Sequence, residues 1–138
     1  MFKAFGSYQV TRDLMVGANV SISSPRAFGC LGLHPTDVFA AEYGAASNYC
    51  QGNLTPRGTQ AESDWIKQID VSLRYNVPLQ IPGDLVLRAD IFNLFNFDGT
   101  TDLYEFGDLE DGRPDPNYRA PIGYQAPRFV RLGFDWQF

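Results

Sequence analysis

The chain has 138 residues, 44% of them hydrophobic, and 11 Lys+Arg against 16 Asp+Glu give a net charge of −5. That length suits one ordinary domain, the apolar content excludes wholesale disorder, and the acidic balance excludes a general nucleic-acid binder, which needs a basic surface over the phosphates. Eleven Phe and seven Tyr against two Met, with 13 Gly and 9 Pro, point to many strands joined by turns rather than to a helical bundle.

Side chains alternate faces along a strand, so a half-exposed strand shows a period of two. The opening residues MFKAFGSYQVTRDL lack the apolar core of a signal peptide, so an exported protein would need a longer precursor. They read instead as a strand over 2–10, with Phe2, Ala4, Tyr8 and Val10 on one face and Lys3, Ser7 and Gln9 on the other. A tight turn at Thr11–Asp13 leads to a second strand, 14–22, where Leu14, Val16, Ala18, Val20 and Ile22 oppose Gly17, Asn19 and Ser21. After a long loop, 23–64, comes the cleanest strand, 65–77. Trp65, Ile69, Val71, Leu73, Tyr75 and Val77 share a face, spoiled only by Lys67, against Gln68, Asp70, Ser72, Arg74 and Asn76. A short turn, Pro78–Gly83, leads to a fourth strand, 84–95, with Leu85, Leu87, Ala89 and Ile91 against Arg88 and Asp90, and Val86 and Phe92 as exceptions. A second long loop, 96–127, precedes a fifth strand, 128–138, where Val130, Leu132, Phe134, Trp136 and Phe138 oppose Arg131, Gly133, Asp135 and Gln137.

No stretch approaches the roughly 20 apolar residues of a membrane helix. Strands of about 9–13 residues exceed the usual five or six of soluble sheets and suit a tilted strand crossing a bilayer. The connections alternate short, long, short, long. In an up-and-down antiparallel sheet that places both long loops at one end, the asymmetry of outer-membrane barrels. Charge follows the same division. Loop 96–127 holds Asp98, Asp102, Glu105, Asp108, Glu110, Asp111 and Asp115 against Arg113 and Arg119, a net −5, whereas the apolar strand faces carry almost no charge. Trp65, Phe95, Phe97 and Phe129 fall at the long-loop ends and Tyr75, Trp136 and Phe138 at the short-turn ends, as aromatic girdles do. The expected fold is all-β, an antiparallel up-and-down membrane β-barrel fragment: about five strands in an open curved sheet with two long extracellular loops. A soluble β-sandwich whose apolar faces pack on each other is the competing architecture.

The run Ala89-Asp90-Ile91-Phe92-Asn93-Leu94-Phe95-Asn96, a long loop, and then Pro127-Arg128-Phe129-Val130-Arg131-Leu132-Gly133-Phe134 resemble the end of a TonB-dependent receptor. Pro56-Arg57-Gly58 followed by Trp65, Ile69-Asp70-Val71 and Leu73 is similar to the same region of the Oar-like branch. The alternating Val130, Leu132, Phe134, Trp136 and terminal Phe138 resemble the signal by which outer-membrane barrels are recognised for assembly. The resemblance implies a 22-stranded barrel with an N-terminal plug, of which residues 1–138 match the last five strands. It implies a cell outer-membrane location, long loops outside and the C-terminus in the periplasm. The implied partners are outer-membrane lipid, the rest of the barrel and its plug, and the barrel-assembly machinery. On this reading the chain is a fragment or truncated product, and transport belongs to the parent. An outer-membrane barrel serving adhesion or secretion, and a soluble extracellular binding module, remain as alternatives.

Cys30 and Cys50 lie in one loop, and in that oxidising setting a disulfide is expected rather than two free thiols. Asp70, Arg74, Arg88 and Asp90 occupy polar faces of neighbouring strands and read as a cross-strand charge ladder lining the lumen. Other chemistry finds no support. His34, the single histidine, leaves too few ligands for zinc. Asp108–Asp115 fails the EF-hand spacing and reads as a solvated acidic loop. There is no nucleophile elbow or phosphate loop, so no enzyme, cofactor or metal is expected.

Overall fold

The computed structural model describes residues 1–42, 46–79 and 82–138. Gln80 and Ile81, in the expected Pro78–Gly83 turn, lie outside the described residues. The fold is all-β. Among the described residues, eleven strands and one short helix follow in order: β1 (Phe2–Gln9), β2 (Leu14–Ser23), β3 (Ala27–Phe28), α1 (Val38–Glu42), β4 (Tyr49–Cys50), β5 (Asn53–Leu54), β6 (Ala61–Glu62), β7 (Ile66–Val77), β8 (Asp84–Phe92), β9 (Thr100–Leu103), β10 (Pro121–Tyr124) and β11 (Phe129–Gln137).

These make two compact units. The first, residues 1–23, 66–98 and 126–138, is a five-stranded antiparallel sheet in the order β1-β2-β7-β8-β11. Its edge strands do not pair with each other, so the sheet is open, as expected. The long alternating segments favour it, because a one-residue slip would carry a strand's main apolar set to the other face. Phe2 faces Ile22, Val20 faces Ile69, Val71 faces Ile91, and Leu87 faces Phe134. The β1–β2 turn is closed by its threonine: the Thr11 hydroxyl oxygen accepts from the amides of Asp13 (3.3 Å) and Leu14 (3.0 Å).

The second unit, residues 24–65 and 99–125, is formed by the two segments expected to be plain loops. They carry six short strands and α1, none of which alternation revealed. β3 pairs with β6, β4 with β5, and β9 with β10, all antiparallel. The β4–β5 hairpin turns through Gln51 and Gly52, both at positive φ (51° and 76°), the two-residue geometry that matches strand twist. α1 begins where the Asp37 carboxylate accepts from the amides of Phe39 (3.0 Å) and Ala40 (3.3 Å), an N-cap.

Candidate functional site

The functional feature of the sheet is the contrast between its two faces. On one face lie Val16, Val20, Ile69, Val71, Leu73, Leu85, Leu87, Ile91, Val130, Leu132, Phe134 and Trp136, and register places them side by side across four strands, β2, β7, β8 and β11. None of these side chains is buried, and Leu132 is 77% exposed, Phe134 72% and Trp136 53%. The sheet has no facing partner sheet in its unit, which a β-sandwich requires. An exposed, largely apolar face of this width, with Lys67 only near the strand ends, marks an interaction surface.

The opposite face is polar, and its charges pair differently from the expected ladder. Arg74 stands directly opposite Arg88, a like-charge pair, not opposite an aspartate. The ion pairs run instead between β8 and β11. Arg88 reaches Asp135 at 2.5 Å, and Arg131 reaches Asp90 at 2.8 Å. Among the described residues Asp70 forms no ion pair. Its carboxylate accepts from Gln68 Nε2 (3.1 Å), Asn19 Nδ2 (3.3 Å) and the Asn93 amide (3.0 Å). The expectation went wrong because alternation assigns a face but not the residue opposite. Phe129, expected in an interfacial girdle, also belongs to this face: it stands opposite Phe92 and stacks on it at 4.5 Å. Arg131 sits 5.3 Å above the Phe92 ring. Arg88, Asp135 and Arg131 are well exposed and Asp90 is a quarter exposed, so each pair contributes about 0–1 kcal/mol. Arg131→Met, which keeps the stem over Phe92, is expected to change unfolding free energy by less than about 1 kcal/mol in denaturant titration.

The motif that carries the resemblance has a physical role. β8 ends at Phe92, short of the expected residue 95, because Asn93 adopts φ 51° and Asn96 φ 54°. Asparagine tolerates this left-handed region better than most side chains. Asn93 is 3% exposed. Its Nδ2 donates to the carbonyls of Phe97 and Ala126 (both 2.8 Å), and its Oδ1 accepts from the Phe97 amide at 2.9 Å. Asn96 Oδ1 accepts from the Arg128 amide at 2.9 Å. The two asparagines therefore tie the end of β8 to the segment leading into β11.

In the second unit Cys30 and Cys50 are bridged, with Cα atoms 5.7 Å apart. Gly107 lies against the bridge. A Cβ there would overlap Cys30 Sγ and stand 2.7 Å from Cys50 Sγ. Gly107→Ala is therefore expected to cost about 1–3 kcal/mol through overpacking, visible as a lowered melting temperature of this unit with the bridge intact. The acidic run is not uniformly solvated. Asp108 accepts from the amides of Leu33 (3.1 Å) and Gln51 (3.0 Å), joining three distant segments. Asp115, 8% exposed, accepts from the Asn117 amide. The Tyr104 phenol is held above its ordinary pKa by desolvation and then by the Asp115 carboxylate, to which it donates. Arg26 pairs with Asp102 (3.1 Å) and Glu105 (3.3 Å) and lies 4.6 Å over the Phe28 ring. Asp111 and Arg113 form an exposed pair, and Asp111 accepts from the Arg113 amide. Sequence reasoning missed Asn93, Gly107 and the structural use of Asp108. Only the first had a local signal, an asparagine at each end of Asn-Leu-Phe-Asn.

The chain matches no family model and no solved structure. It is similar to the TonB-dependent transporter Oar of Myxococcus xanthus. Identity is 23% over 171 aligned residues, which take in 99% of this chain and 16% of that protein. The chain thus spans under a fifth of the length of the relative it matches. The similarity runs through both the sheet strands and the second unit, and it agrees with an open sheet that is apolar on one side and polar on the other.

Proposed function

We propose that the chain forms part of the β-barrel of an outer-membrane, TonB-dependent receptor of the Oar-like branch. The observation that carries this is the exposed, largely apolar face of the five-stranded antiparallel sheet, on which Lys67 lies near the strand ends. It is backed by the distant similarity to a TonB-dependent transporter. The apolar face meets outer-membrane lipid. The polar face, with Asp70, Arg74, Arg88 and Asp90, lines the lumen, where water or the plug of the same protein covers it. β1 and β11 present free backbone edges, and the remaining barrel strands pair with them, since unpaired edges do not persist in hydrocarbon. The barrel-assembly machinery reads the apolar stripe Val130, Leu132, Phe134, Trp136 and Phe138. Transport belongs to the closed barrel and not to five strands, because barrels of this type need at least about eight. The chain supplies wall and surface loops.

The second unit, on this reading, faces the cell exterior. Protease applied to intact cells that make the full-length protein is expected to cut within 24–65 or 99–125 and to leave 66–98 whole. Cleavage of those loops only after the outer membrane is opened would reverse the orientation. Recovery of the full-length protein in the soluble fraction without detergent would remove the barrel reading itself.

A further inference from the structure

The second unit orders about 70 residues around a very small apolar interior. Among the described residues, the fully buried apolar side chains are Phe28 and Cys30, at 1% and 0% exposed, and both lie in this unit. Units of this size seldom stand on so little burial without a covalent staple. The surrounding hydrogen bonds converge on the half-cystines. The Leu31 amide donates to the Glu105 carbonyl, and the Gly107 amide donates to the Leu31 carbonyl, both at 2.8 Å. Asp108 accepts from the amides of Leu33 and Gln51, three residues past Cys30 and one past Cys50. Thr55 Oγ1 donates to the Cys30 carbonyl at 3.4 Å. Each of these contacts requires segments 30–33, 50–55 and 105–108 to be held together, and the bridge is the one covalent tie among them. The sheet, by contrast, is held by ladders between β1, β2, β7, β8 and β11, none of which involves this unit.

We infer that the Cys30–Cys50 bridge is a redox gate on the fold of the second unit alone: oxidised, the unit is ordered; reduced, it opens while the five-stranded sheet stays intact. In closing, the two thiols give two electrons and two protons to a disulfide-bearing acceptor of the thiol-exchange class. The Sγ–Sγ bond forms, the acceptor's S–S bond breaks, and the acceptor leaves as two thiols. Opening is the reverse reaction with a dithiol. The unit therefore takes its structure only where disulfides persist. This inference does not depend on the barrel reading.

The test is amide hydrogen exchange on the full-length protein in detergent micelles, before and after reduction by a phosphine, with bridge loss confirmed by mass. Removing a cross-link over a separation of 20 residues should accelerate exchange roughly 100-fold at Leu31, Leu33, Gln51 and Gly107. Amides in 69–77 and 85–92 should not change. Reoxidation with a small-molecule disulfide should restore protection. Cys50→Ser gives the same readout should the phosphine not reach the buried sulfur. Unchanged protection at those four amides without the bridge would overturn the inference. So would equal acceleration in both units, which would make the bridge a support of the whole protein.

Discussion

Val71→Lys is expected to lower the folding yield of the full-length protein in lipid vesicles sharply, while Ser72→Lys, one residue along, leaves it nearly unchanged. Val71 stands between Ala18 and Ile91 in mid-sheet, on the largely apolar face. A lysine at the bilayer midplane of a barrel costs about 2–4 kcal/mol and less towards the interfaces. Ser72 lies between Gly17 and Asp90, so its lysine would meet a carboxylate neighbour and water. Strand β11 repeats the experiment: Leu132→Lys should be severe and Gly133→Lys mild, since a Cβ at Gly133 meets nothing within 4 Å. Slippage by one residue cannot rescue Val71→Lys, because it would carry Asp70 and Arg74 into the apolar face. Lys67, the one cation on that face, sits opposite Ile22 near the ends of both strands, where snorkelling to the interface is open to it.

Asn93→Ala is the second large expected loss, about 2–4 kcal/mol, and it is a corner defect rather than a face defect. The substitution removes two donated and one accepted hydrogen bond, each worth about 1 kcal/mol net. It also strands the carbonyls of Phe97 and Ala126 in a site where the asparagine is 3% exposed, and an orphaned buried group costs about 1–3 kcal/mol. Alanine at φ 51° adds backbone strain. Asn93→Gly relieves only the strain and should recover only a minor part of the loss. Urea unfolding of the full-length protein in detergent, followed by loss of strand signal, measures both variants. Asn96→Ala, which removes a single accepted bond from the Arg128 amide, should cost about 1 kcal/mol.

The difference between these two predictions shows what the sequence could convey. That Val71 and Ser72 lie on opposite faces follows from a local period of two, and the structure keeps that division. Which residue lies opposite which is a property of register between distant segments. That is why a ladder of opposite charges was expected among Asp70, Arg74, Arg88 and Asp90, whereas Arg74 stands opposite Arg88. The loop unit was illegible for a related reason. Asp108 looks like any acid in an acidic run, and its role depends on amides 75 and 57 residues away. No periodicity reports such side-chain-to-backbone contacts. Asp115 was lost in the same run, although burial and its bond to the Asn117 amide fix its place. Asn93 and Asn96 were visible as a motif, and their tolerance of positive φ was the available physical clue to where β8 ends. Cys30 and Cys50 were readable as a pair because their number and common loop left one pairing.

The most direct measurement takes nitroxide labels, attached one at a time from position 69 to position 74, in the full-length protein reconstituted in vesicles. Collision rates with oxygen, which concentrates in hydrocarbon, and with a water-soluble nickel chelate report the two environments. A lipid-facing β7 gives high oxygen collision at 69, 71 and 73 and high nickel collision at 70, 72 and 74, alternating in antiphase. A profile in which both reagents rise and fall together, or in which nickel reaches 69, 71 and 73, would contradict a membrane role for the apolar face.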